Sequence, residues 1–166
     1  MLEQALKDQI KNLFEGLKNQ YTFQISVVES HPNRDELITL LQEVASCSEK
    51  INYIVEEGEN LSFIILKENK PLSFVFRAVP TGHEFTSLLL AVLNADGIGK
   101  NLPDETIVSR IKNLKGSVEV KSYISLTCTN CPDVVQALNI LSITNPAIKH
   151  EIIDGSIHQD EVEKLN

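Results

Sequence analysis

Basic clusters, long apolar runs and paired cysteines are all scarce in this chain, and each shortage closes off a class of function. Acidic side chains outnumber basic ones 23 to 15, a formal charge of −8, and no stretch gathers Lys and Arg. A nucleic-acid binder neutralises phosphates with a basic face, so the balance argues against that partner. The apolar run that opens at Leu88 is broken at Asn94, far short of the ~20 residues that span a bilayer. No membrane partner is expected. Three cysteines do not make a disulfide scaffold. There is no low-complexity tract, and seven glycines and six prolines are scattered as punctuation. The opening Met1-Leu2-Glu3-Gln4-Ala5-Leu6-Lys7 is an amphipathic helix start with an acidic residue, not a secretion signal, so a cytoplasmic location is expected. What remains is 166 residues, 42% hydrophobic and 23% charged, the balance of one folded domain or two small ones.

Periodicity orders these residues into elements. Leu2, Leu6, Ile10, Leu13 and Leu17 recur at helical spacing. Residues 21–28 alternate aromatic or β-branched with polar, which predicts a strand. A helix follows with Leu37, Leu40, Leu41, Val44 and Cys47 on one face. Strands are predicted over 51–55, 61–66 and 72–79, the last two joined by a hairpin-length connection at 67–71. A helix over 83–94 closes the first half. Asp96-Gly97-Ile98-Gly99 marks the best internal boundary, giving domains 1–97 and 98–166. Beyond it come a short helix within 103–114, a strand over 117–124, a helix over 132–143, a strand over 148–153 and helical composition over 158–165. The first half reads strand–helix–strand–strand–strand–helix. The second repeats its beginning without the hairpin and closing helix. That plan is α/β, one complete and one interrupted copy of a thioredoxin-like fold.

Chemistry concentrates at Thr127-Cys128-Thr129-Asn130-Cys131-Pro132, between a predicted strand and a predicted helix. Unpaired N–H groups and the macrodipole at a helix N-terminus favour a thiolate, lowering the pKa of the first cysteine of such a motif from about 8.5 towards neutrality. The second sulfur is then close enough to resolve a mixed disulfide. Zinc and plain packing are the competing readings. Zinc needs four ligands, and only Cys47 and four separated histidines remain. The strand–dithiol–helix context favours thiol–disulfide exchange. Cys47 falls on an apolar helix face and reads as core packing. Thr81 and Glu84 have the spacing of a capping box, while a carboxylate serving the dithiol as proton acceptor is the alternative for Glu84. His83 reads as a solvated first-turn side chain. His31, His150 and His158 have no partner pattern. Gly97-Ile98-Gly99-Lys100 lacks the rest of a phosphate loop, and no flavin or nicotinamide fingerprint occurs.

Residues 83–88, His-Glu-Phe-Thr-Ser-Leu, taken with Tyr123-x-Ser125-Leu126-x-Cys128-x-Asn130-Cys131-Pro132-Asp133-Val134-Val135-Gln136-Ala137-Leu138-Asn139, resemble the N-terminal domain of the alkyl hydroperoxide reductase flavoprotein subunit. Asn145-Pro146-x-Ile148-Lys149-His150 and Ile153-Asp154-Gly155 extend the likeness over essentially the whole chain. The resemblance implies two tandem thioredoxin-like folds forming one continuous unit, with a dithiol only in the second. It implies a thiol–disulfide oxidoreductase domain that takes electrons from a flavin-linked dithiol of the same subunit and passes them to a peroxiredoxin disulfide. Cys128 and Cys131 would be the redox pair and Glu84 the acid contributed by the first fold. FAD and NADH would bind only in a C-terminal part outside this chain. Two departures stand out. Thr129 replaces a histidine usual in the family, and the family continues past Asn166 with a Val-Pro segment, a hairpin and a helix. Either the chain is a fragment of a longer subunit or part of the molecule lies outside this sequence. A non-catalytic interaction module of the same fold is the alternative.

Overall fold

Tyr21, Phe23, Ile25 and Val27 alternate with half-buried neighbours, and the strand they form, β1 (Tyr21–Val27), is the centre of the first unit. The computed structural model describes residues 2–165. Their contacts divide the chain into two units, Met1–Pro71 and Leu72–Asn166. In the first unit β2 (Ile51–Glu56) runs parallel to β1, and β3 (Leu61–Lys67) runs antiparallel on its other side. Parallel neighbours need a crossover, which α2 (Arg34–Ala45) supplies while burying Leu37, Leu40, Leu41 and Val44. Phe23 and Phe63 meet edge to face at 6.1 Å across the β1–β3 pair. Helix α1 (Gln4–Phe14) buries Ile10 and Phe14. Lys7 Nζ and the Leu2 N–H both reach the Glu43 carboxylate on α2, at 2.9 and 2.7 Å. Leu13, expected on the buried face, is 47% exposed. The connection expected to take five residues contracts to the pair Glu68 and Asn69, both left-handed (φ 49° and 62°), as a two-residue hairpin turn requires.

Strand β4 (Lys70–Arg77) leads into the second unit. There follow a 3₁₀ turn (Gly82–Glu84), α3 (Phe85–Ala95), α4 (Glu105–Lys112), β5 (Val118–Ile124), α5 (Cys131–Thr144), β6 (Ile148–Asp154) and α6 (Gln159–Glu163). β6 lies between β4 and β5, parallel to both. Every residue of α3 from Ser87 to Ala95 is buried, as befits a helix that is apolar nearly all round. It packs on α5. Asp104 caps α4 by accepting the Ile107 N–H at 2.9 Å. Among the described residues β5 pairs with β6 alone, and Val118, on the same face as buried Ile124, is 44% exposed. None of the described helices is long and apolar enough to cross a membrane.

In chain order the elements β1 to α3 follow the plan of a thioredoxin-like fold, and β5, α5, β6 and α6 follow its beginning a second time. Among the described residues that second copy goes no further than α6, which is five residues long where eight were expected. The division between Pro71 and Leu72 reflects contact density. The boundary expected near Gly97 comes from the order of elements read in the sequence.

Candidate redox site

Strand β5 ends at Ile124, and a six-residue loop carries the chain to α5. Local polar side chains shape that loop. Ser125 Oγ lies 3.0 Å from Thr127 Oγ1, and the Ser125 carbonyl accepts the Cys128 N–H at 2.9 Å. Cys128 and Cys131 are joined as a disulfide, their Cα atoms 5.5 Å apart. Asn130 stands at the N-cap but makes no side-chain capping bond. Cys128 Sγ takes that part, accepting the N–H of Cys131, the first helical residue, at 3.1 Å. Pro132 follows, a residue with no N–H to satisfy. In the reduced state the same donor and the helix amide field act on the Cys128 sulfur, favouring its thiolate. Both cysteines are half-buried, with Thr129 and Asn130 exposed beside them.

The 3₁₀ turn packs against this loop. His83 donates its N–H to the Leu126 carbonyl at 3.3 Å. Gly82 has φ +55°, and a Cβ there would lie 2.8 Å from the same carbonyl oxygen. Both the left-handed backbone and the close approach call for glycine. Gly82→Ala is therefore expected to cost about 1–3 kcal/mol by strain and crowding together. Gly97, left-handed at φ +80° with open space around it, gives the control. Denaturant titration should show a larger loss for Gly82→Ala than for Gly97→Ala, and equal losses would mean that the Leu126 contact carries no energy.

Glu84 ends the turn and does not act as a capping residue. Thr81 makes no side-chain cap bond, and the Glu84 carboxyl is fully buried, with no hydrogen-bond partner on either oxygen. The capping-box reading fails because the side chain turns into the protein instead of back to the N-cap N–H. Burial raises its pKa, and the nearby Ser87 hydroxyl and His83 only partly oppose this. Ser87 Oγ in turn accepts from Gln136 Nε2 of α5 at 3.3 Å. The turn bearing Glu84 is thus fastened to the dithiol loop at Leu126, and its helix to the dithiol helix at Gln136. His83 is exposed, as expected. Cys47 is buried in the first unit, its thiol donating to the Glu43 carbonyl at 3.3 Å, with its pKa raised by burial. Gly97-Ile98-Gly99 follows a helix instead of a strand, so it does not fit a dinucleotide phosphate.

Two polar clusters escape sequence reading. His150 on β6 is buried, with Nδ1 2.7 Å from Asn139 Oδ1 on α5 and Nε2 2.8 Å from Ser122 Oγ on β5. Burial lowers its pKa to about 4. The neutral ring donates from Nδ1 to the amide oxygen and accepts the serine hydroxyl at Nε2. Arg77 on β4 forms the second cluster, bonding both carboxylate oxygens of Glu161 on α6 and lying 3.3 Å from His158 Nδ1 and 3.5 Å from Glu151. The only signal was positional. Asn139 falls four residues after buried Val135, and His150 alternates with Ile148 and Ile152.

No family model matches the chain. Over 165 residues, 98% of its length, it is 38% identical to the AhpF subunit of alkyl hydroperoxide reductase from Pseudomonas aeruginosa, of which it covers 31%. It is 38% identical over 169 residues to a Bacillus subtilis protein named NADH dehydrogenase, covering 32% of that relative. The chain therefore spans about a third of the length of the curated relatives it matches. Among solved structures, an N-terminal domain of alkylhydroperoxide reductase AhpF from Enterococcus faecalis superposes with a TM-score of 0.88 at 24% identity, over 99% of this chain and 85% of that one. The likeness runs essentially the whole length of the chain: it is similar to about a third of the length of AhpF subunits of alkyl hydroperoxide reductase, and it has the fold of the N-terminal domain of one of them.

Proposed function

We propose that the chain is a thiol–disulfide relay in peroxide reduction, passing electrons from a flavin-linked dithiol to a peroxiredoxin disulfide through Cys128 and Cys131. The observation that carries this reading is the Cys128 sulfur held on the first N–H of α5, within disulfide reach of Cys131. The Cys128 thiolate attacks a sulfur of the peroxiredoxin disulfide. One peroxiredoxin thiolate leaves, and a mixed disulfide forms. Cys131 then attacks Cys128, releasing the second peroxiredoxin thiolate and leaving Cys128 and Cys131 oxidised. Glu84 accepts the proton that Cys131 loses. Burial raises the pKa of the Glu84 carboxyl, so it holds an accepted proton more readily than an exposed carboxylate would. The repeat carrying the pair would be 98–166, with 1–97 contributing Glu84. The flavin and NADH, outside this chain, would return two electrons per turnover. A reducing cytoplasm suits a dithiol that must be recycled.

The test is exchange with an oxidised peroxiredoxin of this reductase class, followed from pH 5 to 9 in the reduced chain and in Glu84→Gln. Attack by Cys128 should be little changed in the variant, and resolution of the mixed disulfide should slow by about a hundredfold. Folding gives a second readout. The Glu84 pKa is raised in the folded protein, so its contribution is full below the unfolded value and is lost as pH rises through the folded one. The variant lacks that loss and should be the more stable protein at neutral pH. Unchanged resolution would return Glu84 to a buried residue without a chemical role, and absence of any exchange would overturn the relay itself.

A further inference from the structure

An edge strand exposes a row of unpaired backbone groups, and proteins usually blunt it with a central charge, a proline or a bulge. β5 follows that rule, with Glu119 and Lys121 inside the strand. β2 does not. Among the described residues it pairs with β1 alone, and all of Asn52 to Glu56 is exposed. Tyr53, Ile54 and Val55 stand 37, 42 and 38% accessible, with no charge between Lys50 and Glu56.

Backbone parity fixes how a further strand would join. The Lys50 carbonyl accepts the Tyr21 N–H at 2.8 Å, so even-numbered residues of β2 turn their backbone groups to β1. Ile51, Tyr53 and Val55 turn theirs outward, although the Ile51 N–H is taken by the Ser48 carbonyl. We propose that β2 pairs antiparallel with β2 of a second copy, across a twofold axis at Tyr53. Tyr53 then exchanges both backbone bonds with Tyr53 of the second copy, and each Val55 N–H meets the other copy's Ile51 carbonyl. On the even face Lys50 falls opposite Glu56, once on each side of the axis, and Asn52 opposite Ile54. Sliding by two residues in either direction removes both charge pairs, so charge selects this register. Each of these side chains also has a contact within its own chain, Lys50 Nζ to the Lys18 carbonyl and Glu56 to Gln24 Nε2. The charges therefore stand in fixed places before pairing. Glu49 and Glu57 oppose each other beyond the strand ends, which discourages extension. One short strand buries less than the ~1,200 Å² of a stable interface, so the dimer is weak and concentration-dependent.

Sedimentation of the chain over a roughly hundredfold range of concentration should show monomer passing to dimer. Val55→Lys, which puts a charge on the edge, should weaken association by at least about tenfold and leave redox exchange unchanged. The register has its own readout. Paired residues of this kind have Cα atoms about 5.5 Å apart, within disulfide range. In a Cys47→Ser background, Tyr53→Cys should therefore cross-link to itself on oxidation, and Asn52→Cys should not. A chain that stays monomeric throughout, a dimer indifferent to Val55→Lys, or a cross-link through Asn52→Cys in preference to Tyr53→Cys would overturn the proposal.

Discussion

Cys131→Ser is expected to accumulate a mixed disulfide with the peroxiredoxin, and Cys128→Ser to trap almost none while abolishing electron transfer. The asymmetry follows from one hydrogen bond. The Cys128 sulfur is the acceptor for the first N–H of α5, whereas Cys131 supplies that N–H and is itself the first helical residue. Lowering a thiol pKa from about 8.5 to about 7 raises the thiolate fraction at pH 7 from a few per cent to about half, more than tenfold. Cys128 is therefore the expected attacker, and without Cys131 the adduct should go unresolved. Mass spectrometry of the unreduced mixture reads the trapped species directly. Iodoacetamide at neutral pH gives an independent measure, expected to modify Cys128 at least about ten times faster than Cys131 in the reduced chain. Equal trapping by the two variants, or faster alkylation of Cys131, would reverse the assigned roles while leaving the dithiol in place.

The elements that sequence reading found most directly are those whose burial follows a local period. β1 alternates with no interruption, and the apolar residues of α2 fall on one helical stripe. Reading failed where a residue's environment is set by something distant. Val118, Val120 and Ile124 share one face of β5 by spacing, but spacing does not say that β5 has a neighbour on one side only and that this face is covered only towards Ile124. Thr81 and Glu84 have the spacing of a capping box, yet the Glu84 carboxyl is buried and a 3₁₀ turn replaces the cap. Pro71, read as part of a connection, lies within β4 because two left-handed residues complete the turn before it.

The same distinction separates the parts of the site. A dithiol spaced by two residues, followed by proline and a helix, is a local pattern and was legible. The Asn139–His150–Ser122 chain comes from a helix and two strands, and Arg77 meets Glu161 across 84 positions of sequence. No spacing rule relates such residues. A polar residue on a buried face of a predicted element was the one available signal.

Acid should destabilise this fold through His150 in a defined window. The folded pKa is about 4 against an ordinary 6.5, because burial penalises the charged ring. The depressed value means that the His150 contribution is fully present above pH 6.5 and is lost as pH falls towards 4, where the unfolded chain takes up a proton that the folded one refuses. Integrated over that interval, the loss is about 3 kcal/mol, a large share of an ordinary domain's stability. Glu84 acts in the opposite sense and the lowered pKa of His158 in the same sense, so the total curve does not isolate His150. A difference does. Denaturant titrations of the wild type and His150→Gln at pH 7, 6, 5 and 4 should show the wild-type advantage shrinking by about that amount between the first and last. The imidazole carbon shifts of His150 should titrate near 4 in the folded wild type, a readout that survives if the variant folds poorly. His150 holds Ser122, on the strand entering the dithiol loop, and Asn139, on the helix leaving it. Protonation reverses the bond at Nε2, since a charged ring can only donate there and the Ser122 hydroxyl must turn to accept. Hydrogen exchange at pH 4 should accordingly show β5 and α5 opening before α2. A His150 that titrates near 6.5, or loss of protection that begins in the first unit, would show that the buried imidazole does not govern the acid limit of this domain.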